Sequence, residues 1–388
     1  MENKLKILEV LDCYYPKFDG PCQVITNYAK SFLNMKDIDV KLVVPYFPNY
    51  TDNQPFTVFR TKSIPSAEGY RCALPGIDFK LKKFLKENKF DIIHIHSPFT
   101  LCGFFTKYAK KHNIPTIFTF HTKFKEDFER DLKLKCLQNF MMRYILKNIN
   151  RVDYVWTVSN GASDCLHEYG YKKPIKVIRN GTDFLYPENA EKLIEQINDK
   201  YNLSKDETVF LSVGRIVENK NLQLALEALK KVANDGYKFK FLIVGSGNYE
   251  NKLKATVDEY GLTDYVIFTG KILDREELSA YYLRANLFIF PSTFDTSSIA
   301  SIDAAAMKLP IIMNEGCAAA EIIENNVNGY LVEKSPTAWA NRIEEILNDK
   351  DKLIAMKETA YKQVYKSWDS VAEEVIKNYR EIINNNFL

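Results

Sequence analysis

Asp295 and Asp303 stand eight positions apart in NLFIFPSTFDTSSIASIDAAAMKLP, residues 286–310. One falls in a polar loop and the other in the first turns of a helix, where backbone N–H groups favour an anionic ligand. The same spacing also suits an ordinary helix start, with Asp295 as a turn or capping residue and Thr296, Ser297 and Ser298 satisfying first-turn amides. Arg215 and Lys220 follow an apolar run and are separated by Ile-Val-Glu-Asn. A fork of donors and a point charge so placed can hold a diphosphate, or can stay solvated in their loop. Gly245-Ser246-Gly247 after FLIV is a fragment of a phosphate-loop pattern. Gly20, in Asp19-Gly20-Pro21 before a helix, either lets a phosphate approach backbone amides or serves a plain turn. His121 follows TIFTF and precedes a charged segment, 123–130. It suits a polar contact at a site, or a surface loop. His96 and Ser159-Asn160 also lie at the ends of apolar runs.

The elements that must position these groups alternate. Ala285–Ile289 reads as a buried strand, Pro291-Ser292 breaks it, and Ile299–Met307 has helical composition, giving strand, loop, helix. Upstream, Lys6–Leu11, Val40–Pro45, Ile92–Ile95, Thr116–Phe120, Val155–Val158 and Ile175–Ile178 read as strands, with helices over Cys22–Leu33, Phe79–Glu87, Gly103–Lys111 and one long helix over Phe128–Asn148. The stretch through Pro75 reads as irregular. A second series begins with a helical segment, Asn189–Asp206, and strand Thr208–Val213, which ends at Gly214-Arg215. Helix Leu222–Ala233, strand Lys240–Val244, helix Tyr249–Tyr260, strand Val266–Phe268, helix Glu276–Arg284 and strand Ile311–Met313 continue it, and helices close the chain. The alternation predicts an α/β protein of two Rossmann-like domains facing a cleft, residues 1–185 and residues 186–368; a last helix, about 369–388, is separately expected to pack back on the first. Every candidate group falls at a strand's carboxyl end, where open parallel sheets bind ligands.

At 388 residues and 46% hydrophobic composition the chain can hold two or three domains with sizeable cores. A formal net charge of +3 with 27% charged residues excludes a dedicated nucleic-acid binder. The seven cysteines form no CxxC pair, so reduced, buried thiols and no zinc site are expected. The start, MENKLKILEVLDCYYP, has no cleavage-like segment, and no run approaches 18 apolar residues. The expectation is a cytoplasmic protein, neither secreted nor membrane-spanning.

The series VSNGASD, VIRNGTD, LSVGRIVENKN, FLIVGSGNYENKL, VIFTGKI, FPSTFDTSSIASIDAAAMKLPII and AEIIENNVNGYLV is collinear over nearly the whole chain and resembles the retaining GT-B glycosyltransferases of family four. The resemblance implies a nucleotide-diphosphate sugar, with a UDP-sugar the expected donor, lying mainly against the second domain. By that likeness Arg215 and Lys220 hold the diphosphate beside Gly214, Gly245 and Gly247, and Gly20 lines it from the other domain. His121 touches the sugar, Asp295 holds its hydroxyls, Thr296, Ser297 and Ser298 line the donor site after it, Asp303 grips the ribose diol, and the Ile272 region faces the base. The family's usual pair is two glutamates, and a glycine-containing loop follows the first; here both acids are aspartates and the loop reads Thr296-Ser297-Ser298-Ile299. An aspartate within FPSxxDT is similar to glycolipid-forming members.

The implied chemistry is hexose transfer with retention, by front-face attack of the acceptor, with leaving-group charge met by Arg215 and Lys220. No DxD motif sits at a strand end, so neither a metal nor a cofactor beyond the donor is expected. The acceptor is a lipid or a glycan. The basic segment FHTKFKEDFERDLKLKCLQNFMMRYILKNINR either lies on an anionic membrane surface, on the inner face, or turns Leu132, Leu134, Leu137, Phe140, Met141 and Ile145 into the core with its lysines solvated. Two other classes fit the same architecture. One is a nucleotide-sugar epimerase, which would need acidic and histidine groups converging; the other is a non-catalytic partner subunit.

Overall fold

The computed structural model describes residues 4–17, 19–66 and 69–386. The chain forms two compact units: one runs to Asn180 and resumes at Trp368, and the other is Gly181–Ser367.

The first unit is built on a seven-stranded sheet, β1 (Leu5–Val10), β2 (Ile38–Pro45), β3 (Thr57–Thr61), β6 (Ile92–Ile95), β7 (Thr116–Phe120), β8 (Tyr154–Thr157) and β9 (Ile175–Val177), in the order β3-β2-β1-β6-β7-β8-β9. All its pairings are parallel. A small antiparallel pair, β4 (Ser63–Pro65) with β5 (Arg71–Ala73), stands outside it. Strands β6 and β7 are buried at every position, because helices cover both faces of a parallel sheet; they therefore read as continuous runs in sequence. The helices are α1 (Gly20–Leu33), α2 (Phe79–Glu87), α3 (Thr100–His112), α4 (Phe124–Asp131), α5 (Lys135–Ile149) and α6 (Asn160–Glu168). Side-chain oxygens of Asp19, Asp78 and Ser159 accept first-turn amides of α1, α2 and α6.

Three expectations need correction here. The irregular stretch before Pro75 contains β3 and the β4–β5 pair, strands of five residues or fewer with little burial to mark them. The single helix over 128–148 is two: Leu132 and Leu134 adopt extended backbone angles, φ −108° and −101°, and break α4 from α5. Cys136, on α5, is exposed, whereas Cys13, Cys22, Cys102 and Cys165 are buried; all seven cysteines are free.

The second unit carries β10 (Val209–Val213), β11 (Lys240–Val244), β12 (Val266–Gly270), β13 (Leu287–Phe290), β14 (Ile311–Asn314) and β15 (Gly329–Val332), in the order β12-β11-β10-β13-β14-β15, again all parallel. Helices α7 (Ala190–Tyr201), α8 (Leu222–Asn234), α9 (Glu250–Glu259), α10 (Arg275–Arg284), α11 (Ile299–Ala306), α12 (Pro336–Asn348) and α13 (Lys350–Val364) surround it. Successive strand residues face opposite sides. Phe210, Phe241, Ile243, Leu287 and Ile289 enter one core, while Leu211, Leu242, Val244, Phe288 and Phe290 enter the other.

The chain then returns to the first unit as α14 (Trp368–Asn386), which packs on α1. Val371, Ala372, Val375 and Tyr379 are 0% exposed, and the Tyr379 ring stacks on Trp156 at 5.7 Å. Burying each large side chain contributes about 1.5–3 kcal/mol, so this one helix supplies stabilisation comparable to a domain's whole margin of about 5–15 kcal/mol. A chain ended at Ser367 should therefore lose the first unit's cooperative unfolding transition in calorimetry and retain that of residues 181–367.

Candidate functional site

In each unit the strand order reverses once, between β1 and β6 in the first and between β10 and β13 in the second. At such a point consecutive connections leave to opposite faces of the sheet and a crevice opens at the carboxyl ends.

In the second unit the loops on either side of this crevice are laced together. Asn221, left-handed at φ 55° where α8 begins, donates through Nδ2 to the Pro291 carbonyl at 3.2 Å, and Ser292 Oγ donates to the Asn219 carbonyl at 3.3 Å. Asn314 Nδ2 donates to the same proline carbonyl. A pocket lies here, lined by Gly214, Arg215, Lys220, Leu222, Phe290 and Pro291 among others. Lys220 Nζ donates to Asp295 Oδ1 at 2.7 Å and sits 5.5 Å from the centre of the Phe290 ring. The second oxygen, Asp295 Oδ2, is buried with no hydrogen-bond partner. A buried carboxylate oxygen without a donor is costly, and a ligand hydroxyl is the kind of group that would satisfy it. Arg215 is exposed and has no ion-pair partner among the described residues. A lysine and an arginine thus line the pocket, and an acid with one unused oxygen stands 2.7 Å from the lysine, an arrangement that can hold a phosphate on the cations and a hydroxyl on the acid.

The glycines divide. Gly214 has φ +152°, a backbone state that favours glycine, with open space where a Cβ would stand. Gly245 and Gly247 are required by the protein's own packing: a Cβ would meet the Gly214 carbonyl oxygen at 1.8 Å and the Ile216 carbonyl oxygen at 2.1 Å. Hydrogen bonds from Gly214 N to the Val244 carbonyl and from Ile216 N to the Ser246 carbonyl, both 3.0 Å, hold these two loops together. Around Gly20 a Cβ would meet nothing within 4 Å, so protein packing makes no demand for glycine there.

Asp303, the residue that the resemblance places on the ribose diol, has protein partners and is 3% exposed. Its Oδ1 accepts the Thr182 hydroxyl, and Arg275 approaches both oxygens at 3.4 Å while also pairing with Asp183 and lying 3.7 Å over the Phe184 ring. Burial pushes the Asp303 carboxyl up, with Arg275 acting against that push. Arg275 was missed from sequence, because nothing local distinguishes it from a solvated arginine at a helix start. Thr296 and Ser298 are buried; Ser298 Oγ caps α11 by accepting Ser301 N at 3.1 Å. Ile272 is half-buried against the core that contains Leu278 and Phe288.

In the first unit the residues after β1 and β6 are joined at their crevice. Asp12 accepts the Ser97 hydroxyl at 2.7 Å and the Thr100 hydroxyl and Leu101 N at 3.1 and 3.2 Å, and burial raises its carboxyl to about 6. Beneath lies a chain of buried polar groups. His121 Nε2 meets His96 Nδ1 at 2.9 Å, and His96 Nε2 meets Glu9 Oε2 at 2.7 Å. Glu9 Oε1 accepts the Tyr379 hydroxyl at 3.0 Å, which in turn meets His94 Nδ1 at 2.5 Å, and His94 Nε2 meets Thr119 Oγ1 at 2.6 Å. Glu9, His94 and His96 also offer three ligand atoms within 4.8 Å of one another, a set suited to a metal. Each of those three side chains already has a hydrogen-bond partner in the protein. Burial raises the Glu9 carboxyl to about 8, lowers His96 to about 3, and lowers His94 and His121 as well.

Two doubly wound, all-parallel sheets of this kind are the GT-B glycosyltransferase architecture. HepE of Anabaena, solved with UDP, superposes with a TM-score of 0.77 at 16% identity, over 97% of this chain and all of that one. A glycosyltransferase from Rickettsia africae gives 0.73 at 20% identity, over 99% of this chain and 100% of that one. The profile of the glycosyl transferases group 1 matches residues 193–363, and that of glycosyltransferase family 4 matches residues 20–184. The chain belongs to this family and is a glycosyltransferase. Among its relatives is an alpha-monoglucosyldiacylglycerol synthase of Streptococcus pneumoniae, 27% identical over 82% of this chain and 73% of the relative. The enzyme of the same name from Acholeplasma laidlawii is 24% identical over 84% of each chain.

Glu9 and the three histidines make opposite demands on pH. The histidines are held neutral, so acid favours the unfolded chain, which protonates them below about pH 6.5. Glu9 has a folded-state pKa above its ordinary value, so the stability it contributes is complete below about pH 4.5 and is lost as pH rises through about 8. Wild-type protein should accordingly unfold at lower urea at pH 8.5 than at pH 6.5, with a slope of at most about 1.4 kcal/mol per pH unit, and Glu9→Gln should flatten that slope.

Proposed function

We propose that this glycosyltransferase moves a hexose from a UDP-sugar to a lipid or glycan acceptor, with retention at the anomeric carbon, in glycolipid or cell-surface polysaccharide synthesis. The observation that carries the reading is the crevice of the second unit, where Arg215 is exposed, Lys220 is held 2.7 Å from Asp295, and Asp295 Oδ2 has no partner. The cations take the donor diphosphate and stabilise the charge that develops on it as the sugar leaves. The free oxygen of Asp295 takes a sugar hydroxyl. Asp303 can accept a ribose hydroxyl only through lone pairs that Thr182 and Arg275 do not use. His121 contacts the transferred sugar. No metal takes part, since the two cations supply the charge a metal would otherwise provide.

The names of the streptococcal and Acholeplasma relatives favour a diacylglycerol-type lipid as the acceptor. The surface of the first unit supports a membrane role. Leu134 is 63% exposed, Leu137 40% and Phe140 62%, beside the exposed Lys133, Lys135 and Arg143. Only Ile145 of the six apolar residues at issue is fully buried, with Leu132 and Met141 intermediate. Apolar side chains flanked by cations suit the interface of an anionic leaflet. The enzyme works on the inner, cytoplasmic face. In this reading attachment is peripheral; among the described residues no helix is long and apolar enough to cross a membrane.

Titration calorimetry with UDP should show binding that weakens roughly ten- to over a hundredfold in Arg215→Ala and in Lys220→Ala, as the loss of a charge-assisted contact of about 1.5–3 kcal/mol requires. Unchanged affinity in both variants would remove the donor site from this crevice. Flotation with vesicles rich in anionic lipid should carry the protein at low salt, and Leu137→Glu with Phe140→Glu should leave it at the bottom of the gradient.

A further inference from the structure

We propose that Asn314, oriented by the indole of Trp339, is a positioning residue for Lys220, an inference that rests on the reading of Lys220 as a ligand of the donor diphosphate.

Lys220 has no rigid seat of its own. It ends a short 3-10 turn, Glu218–Lys220, and the next residue, Asn221, is left-handed before α8 begins. So short a turn is weakly held by its own hydrogen bonds. Both neighbours of the lysine are instead tied to the loop after β13. The Asn219 carbonyl accepts the Ser292 hydroxyl at 3.3 Å, and Asn221 Nδ2 donates to the Pro291 carbonyl at 3.2 Å. The place of Lys220 therefore follows the place of Pro291 and Ser292. Proline has no N–H with which to anchor itself. The Pro291 carbonyl takes that part, accepting from Asn314 Nδ2 as well as from Asn221, so both of its lone pairs are used.

Asn314 ends β14, the strand beside β13, and is fully buried. Its Oδ1 accepts Trp339 Nε1–H at 2.9 Å. An indole only donates and a prolyl carbonyl only accepts, so one orientation of the amide serves both, oxygen to the tryptophan and nitrogen to the proline. An aspartate would set a carboxylate oxygen against a carbonyl, and a leucine would bond to neither. The indole is itself fixed. Trp339 is fully buried on α12, which packs on α8, and it shares a core with Leu222, the first residue of α8. A ring locked in the core thus orients one amide, the amide holds one carbonyl, and the carbonyl seats the turn that carries Lys220. Lys220, Phe290 and Pro291 line the same pocket, so a shift of that carbonyl moves the ammonium relative to the pocket wall. A lysine held on such a frame loses less freedom when a phosphate binds.

Calorimetric titration of the full-length enzyme with UDP, paired with urea unfolding of each variant, separates positioning from stability. Asn314→Leu releases Pro291 and strands the Trp339 N–H. Asn314→Leu with Trp339→Phe also releases Pro291 but strands no donor, and replacing both partners of a buried hydrogen bond restores much of the stability that removing one loses. UDP affinity should fall about three- to tenfold in Asn314→Leu and stay low in the double variant, whose urea midpoint recovers. In a Lys220→Met background Asn314→Leu should weaken UDP no further, since both act through one contact. If Asn314→Leu does not fold, Trp339→Phe decides: it keeps the ring, removes only the N–H, and should weaken UDP in the wild-type background and not in Lys220→Met. Wild-type UDP affinity in the folded variants, affinity that recovers together with stability in the double variant, or an equal loss in the Lys220→Met background overturns the proposal. Unchanged UDP affinity in Lys220→Met alone overturns the reading of Lys220 as the phosphate ligand, and the proposal with it.

Discussion

A parallel sheet cannot cover the point where its strand order reverses, and in each unit of this protein the groups that can do chemistry gather around that gap. Helices leave β10 and β13 toward opposite faces, so a crevice opens at the carboxyl ends of these two strands. The fold does not leave the gap loose. Asn221, Asn314 and Ser292 tie the flanking loops by side-chain to backbone hydrogen bonds, and Gly245 and Gly247 let the neighbouring loop press against Gly214 and Ile216 where any Cβ would collide. Lys220 and Asp295 are therefore held by loops that have little freedom, which is the condition for a site that need not reorganise to bind.

The two units treat buried charge differently. In the second, Asp303 is paired with Arg275 and Thr182, so its carboxylate is compensated within the protein. In the first, no lysine or arginine among the described residues pairs with Glu9, which is satisfied by neutral donors, so burial lifts its titration while the same burial holds the histidines neutral. A network of this sort is stable only when each member is bonded, and the chain from Thr119 through His94, Tyr379, Glu9 and His96 to His121 meets that condition. It also explains why α14 belongs to the first unit: Tyr379 closes the network as well as the core.

Much of the fold was legible because fully buried parallel strands write themselves as apolar runs. Ile92–Ile95, Thr116–Phe120 and Lys240–Val244 fall where the runs lie. Strands β3 and β15 escaped because they are short edge strands with mixed exposure or polar approaches, and the break at 132–134 escaped because helical composition continues through it. The loop groups Arg215, Lys220 and Asp295 were visible from their places after strands. Glu9 and Arg275 were not. Their meaning comes from partners far along the chain, His96 at 87 residues and Tyr379 at 370 from Glu9, and Asp303 at 28 and Asp183 at 92 from Arg275.

In the proposed function Lys220 is a phosphate ligand that Asp295 engages until the donor arrives, and the sign of one substitution tests that role. Asp295 stands 2.7 Å from the ammonium and competes with a phosphate for it, yet UDP carries no sugar for Asp295 to hold. UDP affinity measured for Asp295→Asn, Lys220→Met and the double variant should therefore rise in the first, fall about tenfold or more in the second, and in the third match the second. If Asp295→Asn weakens UDP as much as Lys220→Met does, the pair is a structural ion bridge and the diphosphate binds elsewhere.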